Sequence, residues 1–169
     1  MRTTLGLLLV LFILLILNFT HRIYFNFFTH SLAYGIYMRF EGTPRKGDYA
    51  ASCLTPKIAR YGMDRHYLAS GNCSTGAVKV LKVIKGIPGD HFKVEQGSLI
   101  LNGHAYNIKT KDSSGRALRV FYRQEGILKK GEYFLLSNFA ANSWDSRYWG
   151  PVGIEFLLKP LLVFEKVKV

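Results

Sequence analysis

Residues 78–90, VKVLKVIKGIPGD, constrain the fold more than any other stretch of the sequence. The first half has the β-branched content of a strand, and the Gly-Ile-Pro-Gly-Asp segment predicts a turn that ends it. Lys82 lies deep in the apolar half. Burial there would lower the pKa of its amine and allow it to act as a general base near neutral pH. The alternative is that Lys79, Lys82 and Lys85 are edge-strand charges that discourage aggregation.

Residues 5–19 form a run that is apolar or glycine except for Asn18. No small-x-small cleavage pattern follows it, and the aromatic residues within 23–28 continue it as an interfacial belt would. We therefore expect residues 1–22 to form one N-terminal transmembrane helix, with membrane lipid as a partner, and residues 23–169 to form a single domain. Basic residues on the two sides of the run nearly balance, so charge alone leaves the orientation open.

The net charge of +12 is spread over the whole chain, without a run of five basic residues. We therefore predict no nucleic-acid partner, and a basic face beside an anionic membrane surface fits the charge. The five histidines form no metal-binding pattern, so we predict no metal and no cofactor.

Cys53 and Cys73 flank a polar stretch, residues 54–72, of the kind that a disulfide bond closes. Their spacing matches neither a zinc ribbon nor a redox CxxC motif. A domain on the oxidising side of a membrane would allow the bond, which would stabilise the fold by about 3 kcal/mol. The alternative is two buried, reduced thiols.

Short runs of alternating polarity follow Asp90 and predict β-structure to the end of the chain. The Asn102-Gly103 pair predicts a tight hairpin. No long helix is predicted outside the anchor, so we expect a mainly β, antiparallel domain with long connections. The predicted strands cover residues 91–95, 98–101, 104–108, 116–122, 133–137 and 161–169.

Three polar segments remain as candidates for nucleophilic catalysis, because the chain contains no GxSxG elbow. They are Thr29 to Ser31, Lys82, and residues 142–150, NSWDSRYWG. A serine hydroxyl, a desolvated lysine amine and a second hydroxyl that orients the amine form a complete proton relay, a known variant of the catalytic triad.

Residues 82–90, KVIKGIPGD, resemble the general-base box of the bacterial type I signal peptidases, in which a lysine stands four residues before Gly-x-Pro-Gly-Asp. Residues 143–152, SWDSRYWGPV, are similar to the last box of that family, Ser-x-Asp-Ser-Arg-x-x-Gly-x-Val. Residues 26–37 most resemble the conjugative-transfer branch, the TraF-type peptidases, with the approximate pattern Asn-x-Thr-x-Ser-x-Pro-x-Gly-x-Tyr. The paired cysteines, the short chain and the single anchor also resemble that branch.

The sequence departs from these patterns at three places. Ala33 stands where the TraF-type pattern has proline, and Asn26 lies one residue farther from Ser31 than the pattern requires. Residues 137–139, SNF, stand where the wider family has Gly-Asp-Asn. The serine and lysine are retained, whereas fine specificity does not follow from the resemblance.

The resemblance implies a signal-peptidase-like antiparallel β fold and a role for each matching residue. Ser31 would be the nucleophile, Lys82 the base, and Ser143 the hydroxyl that orients the amine. The Ser31 N–H group and the Thr29 hydroxyl would form the oxyanion hole. Structural roles near the site would fall to a paired Asp145 and Arg147, and to Gly86 and Gly89, which would let the backbone turn tightly.

The resemblance also implies a function: a membrane-anchored serine endopeptidase on the outer side of the bacterial inner membrane. Its substrate would be a membrane-tethered precursor such as a conjugative pilin subunit, with conjugation-machinery proteins as further partners. The resemblance further implies an activity that joins the two ends of the pilin subunit. Two alternatives stay open, a general signal peptidase and a non-catalytic β-domain of a conjugation or secretion assembly.

Overall fold

The computed structural model describes residues 22–26, 31–138, 140 and 142–164, together with positions 6, 7, 9, 10, 12, 13 and 16. Apart from helical positions within 6–16, these residues form ten strands and two short helices. In chain order they are β1 Ile23–Asn26, β2 Tyr34–Phe40, β3 Tyr49–Ser52, α1 Pro56–Asp64, β4 Val80–Gly86, β5 His91–Glu95, β6 Ser98–Leu101, β7 His104–Asn107, β8 Glu125–Ile127, β9 Phe134–Leu136, α2 Ser146–Trp149 and β10 Phe156–Phe164.

The strands form two antiparallel sheets, which confirms the mainly β, antiparallel part of the predicted fold. The larger sheet has the order β1-β2-β10-β3-β4-β9, and the smaller has the order β7-β6-β5-β8. β10 lies between β2 and β3, although it is the last described strand in chain order. The strand that carries Lys82 is therefore an interior strand, paired with β3 and β9.

The hairpins after Asp90 agree closely with the predicted strand bounds. β5 and β6 have the predicted bounds, and β7 ends one residue earlier than predicted. Asn102 and Gly103 adopt φ values of 47° and 82°. These left-handed conformations are those that a two-residue Asn-Gly hairpin turn requires.

Two segments differ from the prediction. Residues 116–122 form no strand, because Leu118 and Phe121 pack individually against the core instead of joining a ladder. Residues 54–72, predicted as a polar loop, contain α1, which begins with a proline at its first position and buries Ile58, Ala59 and Gly62. The Cys53–Cys73 disulfide bond is present and closes the loop that holds α1.

The structure also differs from the prediction near both ends of the chain. The last strand was predicted over residues 161–169, but β10 already begins at Phe156. Residues 165–169 lie outside the described part of the chain. The first strand, β1, occupies residues that were assigned to an aromatic membrane belt.

Gly86 and Gly89 have different structural roles. Gly89 has φ +92° in the turn after β4, as predicted. Gly86 is instead the last residue of β4 and lies where the two sheets pack together. A Cβ at Gly86 would lie 2.9 Å from Leu128 Cδ1 and 3.1 Å from Phe134 Cβ, so this glycine provides space for packing and does not form the turn.

Most of the predicted membrane anchor lies outside the described residues. Among the residues that the structure does describe, no helix combines the length and the hydropathy required to cross a bilayer. The anchor over residues 1–22 stays a prediction.

Candidate active site

Lys82 is buried in the middle of β4. Its side chain lies on the face opposite Leu81 and is only 5% exposed, and its partner on β3 is the small, fully buried Ala50. Burial lowers the pKa of the Lys82 amine from 10.5 to about 8. The Asp145 carboxylate opposes this change and the Arg147 cation reinforces it. Near neutral pH, a useful fraction of this amine is therefore uncharged.

The Lys82 amine contacts two hydroxyl groups. Its Nζ atom is hydrogen-bonded to Ser31 Oγ. It also donates to Ser143 Oγ at 2.9 Å. The three side chains named from the sequence as nucleophile, base and orienting hydroxyl thus meet in one place, although 51 and 61 residues separate Ser31 and Ser143 from the lysine.

Apolar packing holds the segment that carries Ser31 against the larger sheet. The next residue, Leu32, is fully buried in a cluster with Tyr37, Val83 and Leu158. Val83 follows Lys82 on β4, so this cluster links the serine segment to the lysine strand. Thr29 lies outside the described residues, and the predicted oxyanion hole therefore stays a prediction.

A buried ion pair organises the last sequence box. Arg147 donates to Asp145 through Nε at 2.8 Å and through Nη2 at 2.9 Å, and Asp145 is fully buried. The same Nη2 atom also donates to the Ser143 carbonyl at 3.0 Å. The predicted Asp145–Arg147 pair thus forms, and it holds the backbone of the serine that contacts Lys82.

Two polar residues near Ser31 had no assigned role. Ser137 Oγ donates to the Ser31 carbonyl at 2.8 Å. Asn26 is 3% exposed and donates to the carbonyls of Leu32 and Ala33. The sequence signal was present for both, since Asn26 is a polar residue within an aromatic segment and Ser137 replaces the family glycine.

One group of potential metal ligands occurs among the described residues, and it consists of Cys53, Cys73 and Glu155. Both sulfur atoms of this group are committed to the disulfide bond. The group also lies outside the set of contacts around Lys82.

Residues 3–158 match the family described as signal peptidase, peptidase S26. The chain belongs to this family. This signal peptidase family member is 34% identical over 107 residues to the conjugal transfer protein TraF of Agrobacterium fabrum, a match that covers 60% of this chain and 58% of that protein. It is 28% identical over 145 residues to the plasmid transfer protein TraF of Escherichia coli, covering 80% of this chain and 81% of that protein.

A solved structure also resembles this signal peptidase family member. A signal peptidase I from Enterococcus faecalis V583 aligns with a TM-score of 0.41 and 20% sequence identity. The alignment covers 71% of this chain and 100% of that chain.

Proposed function

We propose that the protein is a serine endopeptidase in which Ser31 is the nucleophile and Lys82 the general base. The observation that carries the proposal is the contact between the Ser31 hydroxyl and an amine that burial keeps partly uncharged. An uncharged amine has a lone pair that accepts the hydroxyl proton, whereas an ammonium group has none. Membership of the signal peptidase family supports the same chemistry.

The reaction begins when Ser31 Oγ attacks the scissile carbonyl carbon and its proton passes to Lys82 Nζ. The lysine then delivers this proton to the leaving amine, which gives an acyl-enzyme on Ser31. Water attacks the ester with Lys82 again as the base, and this step releases the second product and restores the hydroxyl. Ser143 Oγ accepts a hydrogen bond from the amine at 2.9 Å and holds its lone pair toward Ser31.

Burial and the nearby carboxylate favour opposite protonation states of Lys82. The Asp145 carboxylate raises the pKa of Lys82 and so favours the ammonium that forms transiently, while burial favours the uncharged amine at rest. The Ser31 N–H group and the Thr29 hydroxyl would stabilise the oxyanion, and one such donor is typically worth about 3 kcal/mol of the barrier.

We infer that the substrate is an exported, membrane-tethered precursor, and that a conjugative pilin subunit fits best. The names of the relatives support this inference, since one is a conjugal transfer protein and the other a plasmid transfer protein. The disulfide bond supports a domain on the periplasmic side of the inner membrane. An anchor formed by the apolar N-terminal run would confine the enzyme and its precursor to one surface and raise their effective concentration.

The test is co-expression of the full-length chain with a pilin-like precursor, followed by measurement of the precursor's length. Ser31→Ala and Lys82→Ala should each abolish processing, with circular dichroism to show that the variants fold. Lys85→Ala is the matched control, because it removes a lysine three residues farther along the same strand. Retained processing in the Ser31→Ala or Lys82→Ala variant would end the assignment.

Further measurements separate the alternatives. A general signal peptidase would also process many unrelated exported precursors, and its loss would stop growth. A non-catalytic β-domain would fail to react with a serine-acylating ester, whereas the proposed enzyme should be labelled in a manner that requires Ser31.

A further inference from the structure

The backbone at residues 31–33 lies outside the sheet ladder, before the start of β2. Side chains instead hold its carbonyl groups. Asn26 Nδ2 donates to the Leu32 carbonyl at 3.2 Å and to the Ala33 carbonyl at 3.1 Å. The Tyr37 hydroxyl donates to the Ala33 carbonyl at 2.6 Å. Because a buried carbonyl needs a partner, these side chains select one backbone conformation directly after the nucleophile.

Ser137 holds the carbonyl of the nucleophile itself. Its Oγ donates to the Ser31 carbonyl at 2.8 Å and accepts from the Ala140 N–H group at 3.2 Å. Its own N–H group donates to Asp145 Oδ2 at 3.1 Å. The hydroxyl rotor is therefore fixed from both sides, and the residue is attached to the buried ion pair.

Hydrogen bonds therefore connect the Asp145–Arg147 ion pair to both Lys82 and Ser31. One path runs from Arg147 to the Ser143 carbonyl, and the Ser143 hydroxyl then meets Lys82. The other runs from Asp145 to the N–H group of Ser137, and the Ser137 hydroxyl then meets the Ser31 carbonyl. A shift of either path would change the separation of nucleophile and base.

We propose that Ser137 and Asn26 are positioning residues that set the Ser31 hydroxyl against the Lys82 amine, an inference that rests on the proposed function. It explains two departures from the family patterns together. Alanine at position 33 lacks the ring with which proline would restrict the backbone, so the hydrogen bonds from Asn26 and Tyr37 are left to restrict it. Serine at position 137 supplies a hydroxyl that the glycine of the wider family does not have.

The test is the acylation rate of the full-length chain in detergent with p-nitrophenyl hexanoate, across a range of pH. Ser31 Oγ attacks the ester carbonyl, p-nitrophenolate leaves, and the serine proton passes to Lys82. The rate of the Ser31→Ala variant is subtracted as background. Ser137→Ala should lower the maximal rate by about 10-fold, the effect expected from the loss of one hydrogen bond between uncharged groups.

The pH midpoint of the Ser137→Ala variant should stay at the wild-type value, because Ser137 acts on the nucleophile and not on the lysine. Ser137→Thr should restore most of the rate, since it keeps the hydroxyl. Asn26→Ala should behave like Ser137→Ala. The matched control is Ser52→Ala, which removes a buried serine that donates to the Gly153 carbonyl at 2.6 Å, and it should keep the rate.

The outcomes distinguish the two proposals. If Ser31→Ala reacts as fast as wild type, the proposed function fails. If Ser31→Ala is inert but Ser137→Ala reacts at the wild-type rate, only the positioning role fails. A displaced pH midpoint in Ser137→Ala would also overturn that role, because it would mean that the residue acts through Lys82.

Discussion

Burial of Lys82 should make the free energy of unfolding depend on pH in a defined window. The pKa of the amine falls from 10.5 to about 8 on folding, chiefly because of burial. Between these values the unfolded chain binds more protons than the folded one, so stability rises with pH. The destabilisation is fully present below about pH 8 and disappears above 10.5; it amounts to about 3 kcal/mol, at roughly 1.4 kcal/mol per pKa unit.

Lys82→Met isolates this effect, because methionine has an apolar chain of similar length and does not titrate. Relative to the variant, the wild type should gain about 3 kcal/mol between about pH 7 and pH 10.5. The variant also loses the hydrogen bonds to Ser31 and Ser143, which shifts its stability by the same amount at every pH, so only the difference in pH dependence is compared. Urea unfolding in detergent, followed by the fluorescence of the two tryptophans, measures it.

Lys85→Met is the control, since it removes a lysine from the same strand without emptying the site. Its stability should follow that of the wild type across the pH range. Parallel curves for wild type and Lys82→Met would show that the amine is not desolvated. The physical basis for Lys82 as a base near neutral pH would then be lost.

Three further results are expected. The value of kcat/KM should rise with pH, with the midpoint of the rise near pH 8, because only the uncharged Lys82 amine accepts a proton. A flat profile across pH 8 would contradict this. Gly62→Ala should lower stability by about 1 to 2 kcal/mol in thermal melts, because its Cβ would meet Trp144 Cζ3 at 2.6 Å and overpacking exceeds the gain in helix propensity. Reducing the Cys53–Cys73 bond should lower the free energy of unfolding by about 3 kcal/mol, as expected for its sequence separation of 20, and equal stability with and without reductant would refute that.

Local chemistry accounts for the parts of the fold that the sequence predicted well. The hairpin at Asn102 and Gly103 follows from two residues that tolerate positive φ between alternating runs. β4 follows from its β-branched residues and from the Gly-Ile-Pro-Gly-Asp turn. In both cases neighbours in the sequence determine the structure, so no knowledge of the tertiary fold was needed.

The elements that the sequence did not predict depend on distant partners. α1 has only nine residues, too few to be stable alone, and it forms where Gly62 packs against Trp144 inside a disulfide-closed loop. β3 contains two alanines and has little strand propensity of its own, but β10 and β4 pair with it on both sides.

The candidate site shows the same division. Lys82, Ser31 and Ser143 were identified because their boxes resemble a family pattern, and the pattern already contains the long-range information. The bond from Ser137 to Ser31 joins residues 106 positions apart, and no spacing rule predicts it. Ser137 departs from the family pattern, but the role of its hydroxyl depends on a tertiary contact with Ser31 that the pattern does not contain.

The central position of β10 has a consequence for biosynthesis. The Ser31 segment leads into β2 and Lys82 lies on β4, and β10 joins these halves of the sheet by pairing with β2 and β3. A nascent chain that has not yet emerged from the ribosome through Phe164 therefore lacks the strand whose backbone ladders join these two halves. The proposed pairing of Ser31 with Lys82 would therefore be complete only after the last strand has been inserted between the two halves.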